Sequence, residues 1–206
     1  MSRTMSAERP FVLCLTGSIG MGKSTAAKFF AEAGAPVHDS DAVVHALYEG
    51  EATPLIEAAF PGSTSDGKVD RNKLAAMVLH DTTALARLEA IVHPLVTKSR
   101  ERFLAEAQAR GVPIVVVDIP LLFETAARSQ CDAVVVVSAP ADIQRKRALE
   151  RPGMTEEKLA ALLTKQMPDA EKRRRADFVV DSSRDFDHTR ARIRDILQRV
   201  AKMRQR

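Results

Sequence analysis

The chain has 206 residues, enough for one core or one core carrying small lobes at ~100–200 residues per domain, and too few for a multidomain machine. Hydrophobic residues make up 45% and charged residues 28%, which excludes global disorder. Lys and Arg total 31 against 27 Asp and Glu, a net +4 that suits a polyanionic small molecule as well as nucleic acid, but with aromatics at 4%, one Tyr and no Trp, base-stacking platforms are disfavoured.

The first predicted strand, Phe11–Thr16, is followed by GSIGMGKS at residues 17–24, which satisfies G-x-x-x-x-G-K-[ST] between a strand and a helical run. Glycines there let backbone amides curl around phosphate oxygens, and the next helix aims its positive end at the same anion. Lys23 would reach the β- and γ-phosphates, and Ser24 would ligate Mg²⁺. The bland alternative is a glycine-rich turn with no ligand. The candidate ATP contacts are Gly17, Ser18, Ile19, Gly20, Met21, Gly22, Lys23, Ser24 and Thr25.

The helix opening at Lys23 is expected to end at Gly34, and a short strand at 36–38 follows. Ligands of open parallel sheets sit at the carboxyl ends of strands, so Asp39 and Asp41 are expected on the edge that carries the phosphate loop. Asp41 is the better candidate base for an acceptor hydroxyl, with His45 at i+4 on the same helical face, whereas Asp39 more plausibly supports the turn. Either aspartate alternatively just caps that helix.

Residues 39–113 are far more than one crossover helix needs, so an inserted, mostly helical lobe is expected. It reads as a helix ending at Gly50, a turn-rich loop PGSTSDG at 61–67, a helix capped by Asp70, and a long helix opening at Pro94 and running to Arg110. His93 precedes that proline; a lone His is usually structural.

The run Ile114–Asp118, IVVVD, is apolar until its last residue, as expected of a strand in the middle of a parallel sheet covered on both faces. Its terminal Asp118 is a candidate Mg²⁺ ligand through water, or a turn residue. Pro120, Leu121, Leu122, Phe123 and Glu124 wall a substrate pocket or fill the core, and the sequence does not separate the two. Further strands are expected at Ala133–Ser138 and Phe178–Asp181, five in all, the pattern of an α/β doubly wound parallel sheet.

Between the last two strands, an Arg- and Lys-rich excursion with a Pro152-Gly153 break reads as helix, hinge and helix, a candidate lid. Arg147 and Arg151, at i and i+4, are expected on one face and would clamp transferring phosphates on closure. Residues 172–175 read as solvated surface, and the final helix as packing back on the core through Ile193, Ile196, Leu197 and Val200. Cys14 and Cys131 lie far apart without a Cys or His at ligand spacing, so neither zinc site nor disulfide is expected, and a reducing cytoplasm is the default. With no apolar run before a cleavage site and no stretch near ~20 apolar residues, a soluble, cytoplasmic protein without membrane partners is expected.

TGSIGMGKST at the loop, the Asp39–Asp41 DSD turn, HPLV from His93, DIPLLFE from Asp118, QRKRALER from Gln144, Gln166 and ADFVVD from Ala176 together resemble the dephospho-coenzyme A kinases, a family of the nucleoside and nucleotide kinase branch of the P-loop fold. The resemblance spans about residues 11–200. It implies a five-stranded P-loop core and ATP-dependent phosphorylation of the ribose 3′-hydroxyl of dephospho-coenzyme A, with Mg²⁺. It also implies Asp41 as base beside Lys23 and Arg147, and an acceptor site drawn from Asp39, Asp41, His45, His93, Pro120, Leu121 and Glu124. Residues 1–9 then form a flexible tail and 10–206 one domain, with core at 10–41, 106–142 and 169–206, a helical substrate lobe at 42–105 and a lid at 143–168. Two positions depart from the family pattern: Leu162 stands where many members carry Arg, and Ser182-Ser183-Arg184 replaces Asn-x-Gly. A nucleoside monophosphate kinase is the nearest rival, disfavoured because a phosphate acceptor needs no carboxylate base; a nucleotide-dependent switch or nucleic-acid-binding ATPase would want a continuous basic face.

Overall fold

The computed structural model describes residues 8–79 and 81–204. Most of the expected tail lies outside them, and its last two residues are tied down: Arg9 forks onto Asp132 at 2.8 and 2.6 Å, and Glu8 pairs with Arg204 at 3.1 Å. The chain resolves into two compact units, Asp39–Glu106 and the remainder.

In chain order the elements are β1 (Phe11–Thr16), α1 (Lys23–Glu32), β2 (Val37–Asp39), α2 (Ser40–Tyr48), α3 (Thr53–Ala59), β3 (Thr64–Ser65), β4 (Lys68–Val69), α4 (Arg71–Val78) and α5 (Thr82–Ala109). Then follow β5 (Ile114–Asp118), a 3₁₀ turn (Ala126–Gln130), β6 (Ala133–Ser138), α6 (Ala141–Leu149), α7 (Glu156–Thr164), α8 (Asp169–Arg175), β7 (Phe178–Asp181) and α9 (Phe186–Arg204).

The five-stranded sheet has the order β2-β5-β1-β6-β7, with β1 parallel to both neighbours and β6 parallel to β7. β1 therefore holds the middle, and the IVVVD strand is an interior strand one place away, buried at every position. The chain runs from β1 outward to one side and returns to the other, so the carboxyl end of β1 is a switch point, where such sheets open a crevice. Leu13, Leu15, Val116, Val135 and Val137 pack against Phe29 and Phe30 of α1 and against Ile193, Ile196 and Val200 of α9. Each such side chain contributes about 1.5–3 kcal/mol on burial.

The second unit has its own core of Leu47, Ile56, Phe60, Leu74, Leu88 and Val92. The stretch expected as a loop closes instead into a β3–β4 hairpin turned by Asp66 and Gly67, both at positive φ. The long helix begins twelve residues ahead of Pro94, which lies inside it. Its start is set by Asp81, whose carboxylate accepts from the amides of Thr83 and Ala84, and buried Ala84, Leu88 and Val92 hold the upstream turns against the cost of a proline in a helix interior.

Three further expectations are corrected. Lys172 is wholly buried, its ammonium 3.0 Å from the Glu124 carboxylate, so residues 172–175 are not uniformly solvated. α6 stops at Leu149, which leaves Arg151 beyond the helix that carries Arg147. Cys14 and Cys131 are joined by a disulfide with Cα atoms 5.6 Å apart, because parallel pairing of β1 with β6 brings β1, which carries Cys14, beside the segment leading into β6, where Cys131 lies.

Candidate active site

β1 ends at Thr16, and the loop turns back on itself through Met21 N–H to Ser18 C=O at 3.1 Å before α1 opens at Lys23. Gly20 and Gly22 hold φ of 78° and 82°, a region costly for any side chain with a Cβ. A Cβ on Gly20 would also meet the Gln144 carbonyl at 2.5 Å, and one on Gly22 the Ser182 hydroxyl at 3.1 Å, so α6 and the end of β7 both press on the loop. No side chain caps α1, whose first-turn amides belong to Lys23, Ser24 and Thr25. Such a terminus offers donors and a positive dipole end to a phosphate.

Side chains grip the loop from outside. Gln144 Nε2 donates to the Ile19 carbonyl at 2.9 Å, Ile19 N–H donates to Gln166 Oε1 at 3.4 Å, and the buried Met21 sulfur accepts from Ala139 N–H at 3.1 Å. Lys23 Nζ contacts both carboxylate oxygens of Asp118, at 2.6 and 2.7 Å. Asp118 is 2% exposed at the end of β5, while Ser24 is exposed in the first turn of α1.

Arg147 lies on α6 with its guanidinium already anchored: Nη1 donates to Ser182 Oγ at 3.0 Å and Nη2 to the Ser182 carbonyl at 2.8 Å. Arg151 is exposed. The PLLFE stretch divides between its two readings, since Leu122 is fully buried while Leu121 is 43% exposed. The Pro120 carbonyl accepts from Thr16 Oγ1 at 3.1 Å. Glu124 accepts from Met167 N–H at 2.7 Å and pairs with Lys172. Burial alone would push its carboxyl up, but the Met167 amide and the Lys172 ammonium outweigh burial and hold it below the usual range.

The other candidates lie in the second unit. Asp39 is the N-cap of α2, accepting from Ala42 N–H at 3.0 Å, which is the alternative in which it caps that helix. Asp41 follows in the first turn of α2 and lines a cleft of about 570 Å³ with Val44, Tyr48, Arg71, Leu74 and Val78. The Arg71 guanidinium stands 5.6 Å from the Tyr48 ring centre; burial pushes the phenol up, and Arg71 opposes that. His45 is exposed in the last turn of α2, and His93 is exposed on α5. Sequence reasoning passed over Ser182 as a working residue; it carries no local signal, and its contacts come from elements far apart in the chain.

Ser24 and Asp118 are hard oxygen donors at the foot of the loop. Among the described residues no cluster of three or more His, Cys, Asp or Glu is placed to hold a metal. That donor set fits Mg²⁺, which keeps several waters and is bound through one or two protein oxygens and substrate phosphates.

A phosphate loop at the switch point of a parallel sheet, with its lysine against a strand-end aspartate and three short helices between β6 and β7, defines a P-loop kinase. The family model for dephospho-CoA kinase matches residues 11–188, and the chain belongs to that family. A dephospho-CoA kinase of Rhodopseudomonas palustris (strain BisB18) is 60% identical over 195 residues, covering 95% of this chain and 98% of the relative. Among solved structures, TT1252 from Thermus thermophilus superposes with TM-score 0.79 at 34% identity, covering 93% of this chain and 97% of that one. A dephospho-CoA kinase from Campylobacter jejuni shares the fold, with TM-score 0.62 at 23% identity over 92% of this chain and 96% of its own.

Proposed function

We propose that the chain transfers the γ-phosphoryl group of ATP to the ribose 3′-hydroxyl of dephospho-coenzyme A, giving coenzyme A and ADP, the last step of coenzyme A synthesis, in the cytoplasm. The observation that carries this reading is the Lys23–Asp118 pair at the base of the glycine loop in a chain of this family. In the nucleotide-free pair each charge neutralises the other. Entering phosphates take over the lysine, which then spans the β- and γ-phosphates. Ser24 and Asp118 would hold Mg²⁺, which when bound neutralises charge on the phosphate oxygens. Loop amides and the start of α1 orient the triphosphate, and Arg147 offsets charge that develops on the transferring group. Asp41 accepts the proton of the acceptor hydroxyl, a task for which an exposed carboxylate in the first turn of a helix is reachable. Asp39 holds Asp41 in place by capping the same helix, and His45, His93, Pro120, Leu121 and Glu124 are the remaining acceptor-side candidates. Arg151 is a further candidate for the nucleotide.

The test is ADP release, measured with dephospho-coenzyme A, AMP, pantothenate or shikimate as acceptor. Dephospho-coenzyme A should exceed the others by orders of magnitude; a faster rate with AMP would overturn the acceptor assignment.

A further inference from the structure

Ser182, the first residue beyond β7, occupies a junction of three parts of the nucleotide-binding unit. Its own N–H donates to the Ser138 carbonyl at 2.9 Å, which extends the β6–β7 pairing by one step and fixes its backbone at the sheet's carboxyl edge. The hydroxyl proton goes to the Met21 carbonyl in the phosphate loop at 2.7 Å. The same oxygen accepts from Arg147 Nη1, and the Ser182 carbonyl accepts from Nη2. The guanidinium is thus held at two points, and its Nη1 lies 3.7 Å from where a Cβ on Gly22 would sit, beside the residue that opens α1.

We infer that Ser182 is a positioning residue for the transfer reaction: by joining the Met21 carbonyl to Arg147, it sets the arginine at the phosphate loop before substrates arrive. This inference rests on the proposed role of Arg147. A cation fixed in advance stabilises developing charge without reorganising at the moment of transfer. An unanchored arginine samples many rotamers and offers its charge at the right place for only part of the time. The serine also crowds residue 22: its Oγ and Cβ stand 3.1 and 3.2 Å from the Cβ position there, tighter than ordinary contact, at a residue whose φ of 82° already favours glycine. Ser182 is partly exposed, and its removal leaves the backbone carbonyl bond to Arg147 in place, so Ser182→Ala should loosen the arginine without unfolding the chain.

The experiment is a double-mutant cycle on the full chain, with single-turnover rates on ATP and dephospho-coenzyme A and with ATP affinity measured separately. Ser182→Ala should slow the single turnover about tenfold, the scale of one hydrogen bond to a charged group, while ATP affinity changes less than about twofold. Ser182→Thr, which keeps the hydroxyl, should restore most of the rate. In the Arg147→Ala background, Ser182→Ala should cost nothing more. A full further loss in that background, or a defect confined to ATP affinity, overturns the positioning role. A wild-type rate for Arg147→Ala instead overturns the proposed role of the arginine itself, and a slow Ser182→Ala beside it would mean the serine acts through the loop alone.

Discussion

Lys23 Nζ sits 2.6 and 2.7 Å from the two carboxylate oxygens of Asp118, with the lysine side chain 15% and the aspartate 2% exposed. The lysine that a phosphate loop offers to ligand is therefore part of a mostly buried ion pair. Removing one partner of such a pair is costly, because the remaining charge loses its neutralising neighbour.

Lys23→Ala should accordingly do two things. It should abolish turnover, since no cation spans the β- and γ-phosphates, and it should lower nucleotide-free stability by about 3 kcal/mol. Adding Asp118→Asn should restore most of the stability and none of the activity. Denaturant unfolding of both variants without nucleotide checks this; a Lys23→Ala chain as stable as wild type would mean the pair contributes nothing.

Asp41→Asn keeps the size and helix-start compatibility of the side chain while abolishing its basicity. Its kcat should fall roughly a hundredfold or more, with ATP binding and Tm little changed. The control follows from the cap. Asn caps as well as Asp, so Asp39→Asn should be nearly silent, whereas Asp39→Ala loses the bond from Ala42 N–H and should cost about 1 kcal/mol. A near wild-type rate for Asp41→Asn would remove it as the base.

What could be read in advance followed local rules. The phosphate loop, the five strands and the two helices on either side of the Pro152-Gly153 break announce themselves through spacing, apolar runs and that break, and the caps Asp39 and Asp70 stand directly before their helices. Where sequence reasoning failed, tertiary packing decided. Pro94 suggested a helix start, but the cap at Asp81 and the buried stripe from Ala84 to Val92 carried the helix past it. Lys172 looked solvated among its charged neighbours, and its buried ammonium meets Glu124, distant in sequence. Ser182 read as a departure from a family pattern, and its partners Met21 and Arg147 are visible only in the fold.

The cysteine pair is a second case of long-range adjacency, with its ends separated by 117 positions in sequence. In the chain-entropy view a cross-link closing so long a loop stabilises the fold by about 4–5 kcal/mol. Alkylation of the oxidised, denatured chain should label neither cysteine, and labelling after reduction should tag both. Reduction should lower the unfolding midpoint, and Cys14→Ser/Cys131→Ser should be insensitive to it. Two free thiols in the unreduced chain would rule the bond out.

Glu124 offers a prediction in which pH supplies the control. Its carboxyl is held below the usual range because, although burial opposes ionisation, the Met167 amide and the Lys172 ammonium together outweigh burial. A carboxylate depressed in the folded state contributes stability that is fully present above its unfolded value, about 4.3, and is lost as pH falls through the folded value. At pH 7, Glu124→Gln leaves the buried Lys172 without its anion and should cost about 3 kcal/mol. As pH falls through the lower, folded value the wild-type carboxyl itself takes up a proton, so the two chains should converge. Lys172→Met, which removes the buried charge, should recover part of the loss when combined with Glu124→Gln. Urea unfolding at pH 7 and in the acid range reads the gap directly: a gap that stays constant across pH would show that the charge of Glu124 does not hold Lys172 and that the residue acts there through shape alone.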